Sequence, residues 1–230
     1  MKTIGLIGGM SWESSVEYYR IINELVAAKL GGLHSAKSLM ASVDFAEIEI
    51  LQHQDRWEEA AQMLARAAKS LESSGADFIV LCTNTMHKVA DEVQASVNIP
   101  LLHIAEATAQ RVVDSGIQNV GLLGTRFTME EDFYKGRLER KYGLKVSVPG
   151  REEREAIDRV IYDELVVGKV ERRSKEQYVE IMDRMVDQGA EGIILGCTEI
   201  GLLVHQSDSR VPLFDTARIH AEAAVEYALQ

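Results

Sequence analysis

The sequence predicts an α/β fold made of two copies of one open parallel-sheet unit. Three observations predict it. Short apolar runs alternate with stretches of helical spacing along the chain, the pattern of a parallel sheet covered by helices on both faces. Landmarks of the first half recur in the second at a nearly constant offset. The two cysteines, Cys82 and Cys197, each close an apolar run, each precede a threonine, and stand 115 positions apart (82 to 197) in a chain of 230 residues.

Residues 2–8 read as a strand running into Gly8-Gly9. Residues 12–29 have helical spacing and put Val16, Tyr19, Ile22 and Val26 on one face. Ser14 or Ser15 serves as the cap and Gly31-Gly32 as the stop. A second strand covers 38–43, and 44–54 reads as a loop with a helical turn. An amphipathic helix fills 57–73 and ends at Ser74-Gly75. The third strand, 78–82, ends in Cys82; a helix over 86–97 and a short strand over 100–103 follow. The second half repeats the scheme. Helices are expected over 106–115, 128–142, 152–167, 175–188 and 216–229, and strands over 120–123, 144–148, 192–195 and 211–214.

Spacing supports a duplication. Gly5-Leu6-Ile7-Gly8 matches Gly121-Leu122-Leu123-Gly124, Gly75-Ala76 matches Gly189-Ala190, and Ile99-Pro100-Leu101 matches Val211-Pro212-Leu213. With the cysteines these are four landmarks in one order. The expected domains are 1–103 with 212–230, and 104–211. Ligands of open parallel sheets lie beyond the carboxyl ends of the strands. Gly8-Gly9, Cys82, Gly124-Thr125 and Cys197 all fall at such ends, so the expected active site is a cleft shared by the two domains.

A chain of this length can bury a substantial core. Its hydrophobic content of 46% and charged content of 27% are ordinary for a globular protein. The formal charge of −11 argues against a nucleic-acid partner, which demands a basic face. No run reaches the ~18 apolar residues of a membrane span, and the start is too short and glycine-rich for a signal core. Two distant cysteines make neither a disulfide framework nor a CxxC metal site, so a reducing cytoplasm is the simplest setting.

Two thiols facing one carbon suit stereochemical inversion: one removes a proton and the other supplies one to the opposite face. A free thiol ionises near ~8.5, and the expectation is that helix N-termini after each cysteine lower that value. Hydroxyl and amide groups of Asn84, Thr85 and Thr198, with helix-terminal N–H groups, suit a carboxylate. A lone cysteine at a strand end ordinarily serves as a small hydrophobe; two at matching places, each before Thr, do not fit that reading. His87 and His103 have no counterparts in the second half and read as hydrogen-bonding or packing residues. Gly8-Gly9 lacks the GxGxxG spacing and the P-loop lysine, so it is a weak nucleotide signal.

The stretches Ile7-Gly8-Gly9-Met10-Ser11-Trp12, Leu81-Cys82-Thr83-Asn84-Thr85-Met86-His87, Leu123-Gly124-Thr125-Arg126 and Gly196-Cys197-Thr198-Glu199 resemble the aspartate/glutamate racemase family. Within it they look like the enterobacterial aspartate/glutamate and broad-specificity types. The resemblance implies two Rossmann-like domains, an amino-acid substrate, no pyridoxal phosphate, no metal and a homodimer. It implies that Cys82 and Cys197 are the acid/base pair, Cys82 serving the D-enantiomer and Cys197 the L-enantiomer. The substrate contacts it implies are Met10, Ser11, Gln52, Thr83, Asn84, Thr85, Thr125, Thr128, Thr198 and Glu199. Archaeal aspartate racemases of this family carry an Arg and a Lys for the side-chain carboxylate. The corresponding stretches here, Asp44-Phe45-Ala46-Glu47 and Ile161-Tyr162-Asp163-Glu164, hold no basic residue. Glutamate, homoserine or a mixed range therefore stay open beside aspartate. So do a hydantoin racemase, a maleate isomerase, a decarboxylase of the same superfamily and a non-catalytic small-molecule binder.

Overall fold

The computed structural model describes residues 1–230. The chain divides into two compact units, Met1–Ile104 with His220–Gln230, and Ala105–Ile219. The first contains β1 (Ile4–Gly8), α1 (Trp12–Leu30), β2 (Ser38–Ser42), α2 (Phe45–His53), α3 (Trp57–Ser73), β3 (Phe78–Leu81), α4 (Ala90–Ala95) and β4 (Leu101–Leu102). All strand pairs are parallel, in the order β2-β1-β3-β4. The central strands β1 and β3 are buried over nearly their whole length. Such apolar runs are the mark of strands covered on both faces.

Four local expectations are corrected in this unit. The inward face of α1 is Ser14, Ser15, Tyr18, Ile21, Ile22 and Val26, whereas Val16 and Tyr19 are 52% and 54% exposed. The rotation has a polar cause. The Ser15 hydroxyl accepts from Gly9 N–H at 2.8 Å and donates to Ser11 C=O at 2.8 Å, which turns the serine side toward β1. The cap is accordingly Ser11, not Ser14 or Ser15. The stretch after β2 is a full helix: Asp44 caps α2 by accepting from Ala46 N–H at 3.0 Å, and Ile48, Leu51 and Gln52 form its buried face. The expected helix over 86–97 is a 3-10 turn, Thr85–Val89, followed by the six-residue α4.

The second unit contains α5 (Ile104–Asp114), which starts at the boundary, β5 (Asn119–Gly124), α6 (Arg126–Glu130), α7 (Asp132–Tyr142), β6 (Lys145–Ser147), α8 (Arg151–Asp163), α9 (Arg172–Asp187), β7 (Gly192–Gly196), α10 (Ile200–Leu203) and β8 (Leu213–Asp215). Its strand order, β6-β5-β7-β8, repeats that of the first sheet, again all parallel. The expected helix over 128–142 is broken at Glu131, whose φ −92° and ψ 154° are extended. Strand β8 pairs with β7, so residues from 212 to Ile219 stay with the second unit, and the chain passes to the first within α11 (Thr216–Leu229).

His220 of α11 is fully buried in the first unit. Its Nε2 lies 2.9 Å from Leu102 C=O and its Nδ1 2.9 Å from the Tyr18 hydroxyl. A carbonyl can only accept, so Nε2 carries the hydrogen and Nδ1 accepts from Tyr18. Burial pushes the imidazole pKa down to about 4, against a smaller upward pull from Leu102 C=O. A depressed folded-state value means that the unfolded chain binds more protons between about pH 6.5 and about pH 4. The neutral ring's contribution is full above the unfolded value and lost as pH falls through this window. Denaturant unfolding followed against pH should show a loss of about 3 kcal/mol across it, and His220→Phe should remove that slope.

Candidate functional site

In the first unit the sheet places two loops side by side. Strands β1 and β3 pair with Ile7 opposite Leu81, and Cys82 N–H donates to Ile7 C=O at 2.9 Å. The Gly8–Ser11 turn and the segment 82–85 therefore leave one end of the sheet. Cys82 is fully buried and its thiol lies 3.7 Å from Val80 C=O, a weak sulfur contact. Thr83, Asn84 and Thr85 are buried beside it in sequence. Gln52 reaches this segment from α2, donating to Met86 Sδ at 3.0 Å. Met10 packs in the apolar core with Leu81 and Met86, and Ser11 caps α1.

His87 is a scaffold residue in this arrangement. Its Nε2 accepts from Ile104 N–H at 3.1 Å, so its Nδ1 holds the hydrogen donated to Thr83 C=O at 2.7 Å. The ring ties the Cys-Thr turn to the chain after β4 and has both nitrogens occupied. His103 lies with its ring 4.5 Å from that of His87, as a packing partner. His220, whose ring is 5.9 Å from His87, was not singled out by sequence; the available signal was a histidine among small apolar residues on the last helix.

The second unit repeats the construction. Gly124 of β5 pairs with Gly196 of β7, so Thr125 and Cys197 leave adjoining strand ends. Close approach is why both positions are glycine: a Cβ on Gly196 would lie 2.7 Å from Leu123 C=O, and one on Gly124 2.8 Å from Gly196 C=O. Thr128 packs on both. Thr125 caps α6 and lies 3.2 Å, hydroxyl to hydroxyl, from Thr128. The Cys197 thiol donates to Glu199 Oε2 at 2.9 Å, and the Thr198 hydroxyl donates to the same oxygen at 2.8 Å. Glu199 is 2% exposed. The structure thus engages this carboxylate with the thiol itself, a contact that the sequence reading, which set it against the substrate, missed.

The expectation of lowered thiol pKa values is corrected. Burial pushes Cys82 up. Burial, then the neighbouring Glu199 carboxylate, pushes Cys197 well up. The elements after the thiols are a five-residue 3-10 turn and a four-residue helix, too short to align many peptide dipoles. Desolvation of a thiolate is the larger effect. Both thiols are therefore neutral in the free protein. No group of three or more His, Cys, Asp or Glu residues is arranged to hold a metal ion, and no helix is long and apolar enough to cross a membrane.

A profile of Asp/Glu/hydantoin racemases matches residues 7–224. The protein is a racemase, an enzyme of the isomerase class. It belongs to the Asp/Glu/hydantoin racemase family. It is 25% identical over 172 residues to the broad specificity amino-acid racemase RacX of Bacillus subtilis, covering 73% of this chain and 72% of RacX. Among solved structures it resembles a candidate Asp/Glu racemase from Yersinia pestis, with 56% identity, a TM-score of 0.93 and 100% of both chains covered. It also resembles an aspartate racemase homologue from Pyrococcus horikoshii, with 39% identity, a TM-score of 0.86 and 100% of both chains covered.

Proposed function

We propose that the protein interconverts the L and D forms of an amino acid, with aspartate and glutamate as the leading substrates. Proton transfer at Cα is assigned to Cys82 and Cys197. The observation that carries this reading is that one strand order occurs twice, and each time the third strand in that order, β3 or β7, is followed directly by Cys-Thr. The names of the relatives supply the substrate class.

The chemistry follows from the residues. One thiol must become a thiolate and take the Cα proton; the electron pair left on Cα delocalises into the α-carboxylate. The other thiol gives its proton to the opposite face. Two neutral buried thiols suit the acid role as they stand. The base role needs help, and a substrate ammonium brought within a few ångströms favours a thiolate. Ser11, Asn84 and Thr85 from the first unit, and Thr125, Thr128 and Thr198 from the second, are the proposed donors to the α-carboxylate. Fixing the carboxylate fixes the reacting carbon. Met10, Gln52 and Thr83 shape the first half of the pocket in this reading. The same reading includes a homodimer in the cytoplasm that uses no cofactor.

Incubation in D2O with each enantiomer of aspartate, glutamate and homoserine tests it. The Cα–H signal should fade for at least one of the acidic amino acids, with the opposite enantiomer appearing in parallel. Absence of exchange across a full amino-acid panel would sink the proposal, and exchange confined to neutral side chains would move the substrate class.

A further inference from the structure

We propose that the hollow between α3 and α4 of the first unit is a binding site for a small arylalkyl ammonium: an aromatic ring joined through a short chain to a cationic nitrogen. The proposal does not rest on the racemase reading, and its probe is not an amino acid. The cavity measures about 340 Å³, and neither cysteine lines it. That volume is near the lower end of the range for small-molecule sites. Trp57, Ala61, Ala65 and Val89 form its apolar wall. Glu58, Gln62 and Glu92 complete the lining and are exposed.

The local sequence makes the hollow. Trp57, Ala61 and Ala65 follow one another at four-residue steps, so they lie a turn apart on one side of α3. Two alanines after a tryptophan leave a trough beside the indole. Val89, 3% exposed, closes the trough from the end of the 3-10 turn that follows Cys82-Thr83-Asn84. The indole is held from two directions. Its Nε1–H donates to Asp55 Oδ1 at 2.6 Å, and Lys88 Nζ lies 3.8 Å from the ring centroid. A ring already fixed has little freedom left to lose when a ligand packs against it.

Charge decides the kind of occupant. The lining holds two carboxylates, Glu58 and Glu92, and no basic residue. Neither carboxylate takes part in an ion pair; the neighbouring Arg56 bonds Glu59 at 2.6 Å instead. Two other hollows of the molecule are balanced. The one that shares Gln62, between α2 and α3, sets Arg56 and Arg66 against Glu47 and Glu59. The one beside β6 in the second unit sets Lys145 against Glu139. Lys88 brings one positive charge to the indole, and the two free carboxylates outnumber it. An anion is therefore repelled, and a neutral ring leaves both carboxylates unmatched. An ammonium beside Glu58 and Glu92, with its aromatic body against Ala61, Ala65 and the indole, satisfies the charge and the apolar wall together.

Protein NMR with phenethylamine, an ammonium at neutral pH, tests the site. The Trp57 indole N–H signal, identified by its loss in Trp57→Phe, should shift saturably with a Kd of about 1 mM. The Val89 amide should shift with it. Phenethyl alcohol keeps the ring and lacks the charge, and should bind about tenfold more weakly. Replacing both carboxylates, Glu58→Gln with Glu92→Gln, should weaken the amine by about tenfold and leave the alcohol within about twofold. Added salt should weaken the amine and spare the alcohol. Absence of a saturable shift at Trp57 up to about 20 mM amine overturns the proposal. So does an alcohol that binds as tightly as the amine, or a double variant with wild-type affinity for the amine. Shifts confined to the amides of Thr83, Asn84 and Thr85, with Trp57 unmoved, would put the amine at the Cys82 end and overturn it as well. Both carboxylates are exposed, so the double variant should fold; the comparison of amine with alcohol on the unaltered protein decides the question without it.

Discussion

Replacing either cysteine with serine is expected to lower racemisation by about 10³-fold or more. Serine keeps the size and the hydrogen-bonding sense of cysteine, but its hydroxyl is far too weak an acid to form a base at neutral pH. In the proposed reaction both thiols take part, because inversion requires a proton to leave one face and another to arrive at the opposite face. The equilibrium constant between enantiomers is one, so kcat/KM must fall equally in both directions for each variant. Isotope exchange need not fall equally. With one thiol left, the enantiomer whose Cα–H faces it can lose that proton and regain a deuteron on the same face. Cys82→Ser and Cys197→Ser should therefore each exchange Cα–H of one enantiomer without inverting it, and the two variants should favour opposite enantiomers. NMR for exchange and chiral chromatography for inversion separate the two events. Full racemisation in either variant removes that thiol from the reaction. Folding should survive, since a buried Cys→Ser change costs about 1–3 kcal/mol.

Gly9→Ala is expected to be the most damaging small substitution in the turn that carries Met10 and Ser11. Gly9 has φ +93°, a conformation that residues with a Cβ rarely adopt. An added Cβ would also run into the backbone carbonyl of Val43 and lie 2.7 Å from its N. Neither obstacle is a flexible side-chain tip, so the turn itself must move. Strain and clash together should cost about 2–4 kcal/mol, with a fall in Tm of about 5 °C or more. Since Gly9 N–H is held by Ser15 at 2.8 Å, movement of the turn also disturbs the start of α1. Thermal unfolding measures the first effect. Retention of wild-type Tm would mean that the Gly9 conformation is not needed.

The pattern of elements was legible because it rests on periodicity, which is local. α3 begins and ends at the predicted residues, 57 and 73, and α11 at 216 and 229. Both are long segments with clear starts and stops. The duplicated landmarks became two sheets of one strand order. What failed were places where a side chain far along the chain, or a single polar bond, decides the outcome. The apolar spacing of α1 allowed Val16 and Tyr19 to point inward. Ser15, bonded to Gly9, turned the helix away from that face. Strand β8 looked like the way back to the first domain until its pairing with β7 kept it in the second sheet.

By itself the sequence determined the α/β class, the duplication and the two thiols at matching strand ends, because each is a matter of residue type and spacing. Tertiary structure alone decided the protonation of those thiols. Proximity to a helix start argued for thiolates, but burial removes the water that would stabilise the charge, and the following helical turns are too short to replace it. Tertiary structure also made the halves unequal. Asn84 and Glu199 occupy equivalent places, yet only the folded chain shows that Glu199 turns its carboxylate onto its own cysteine.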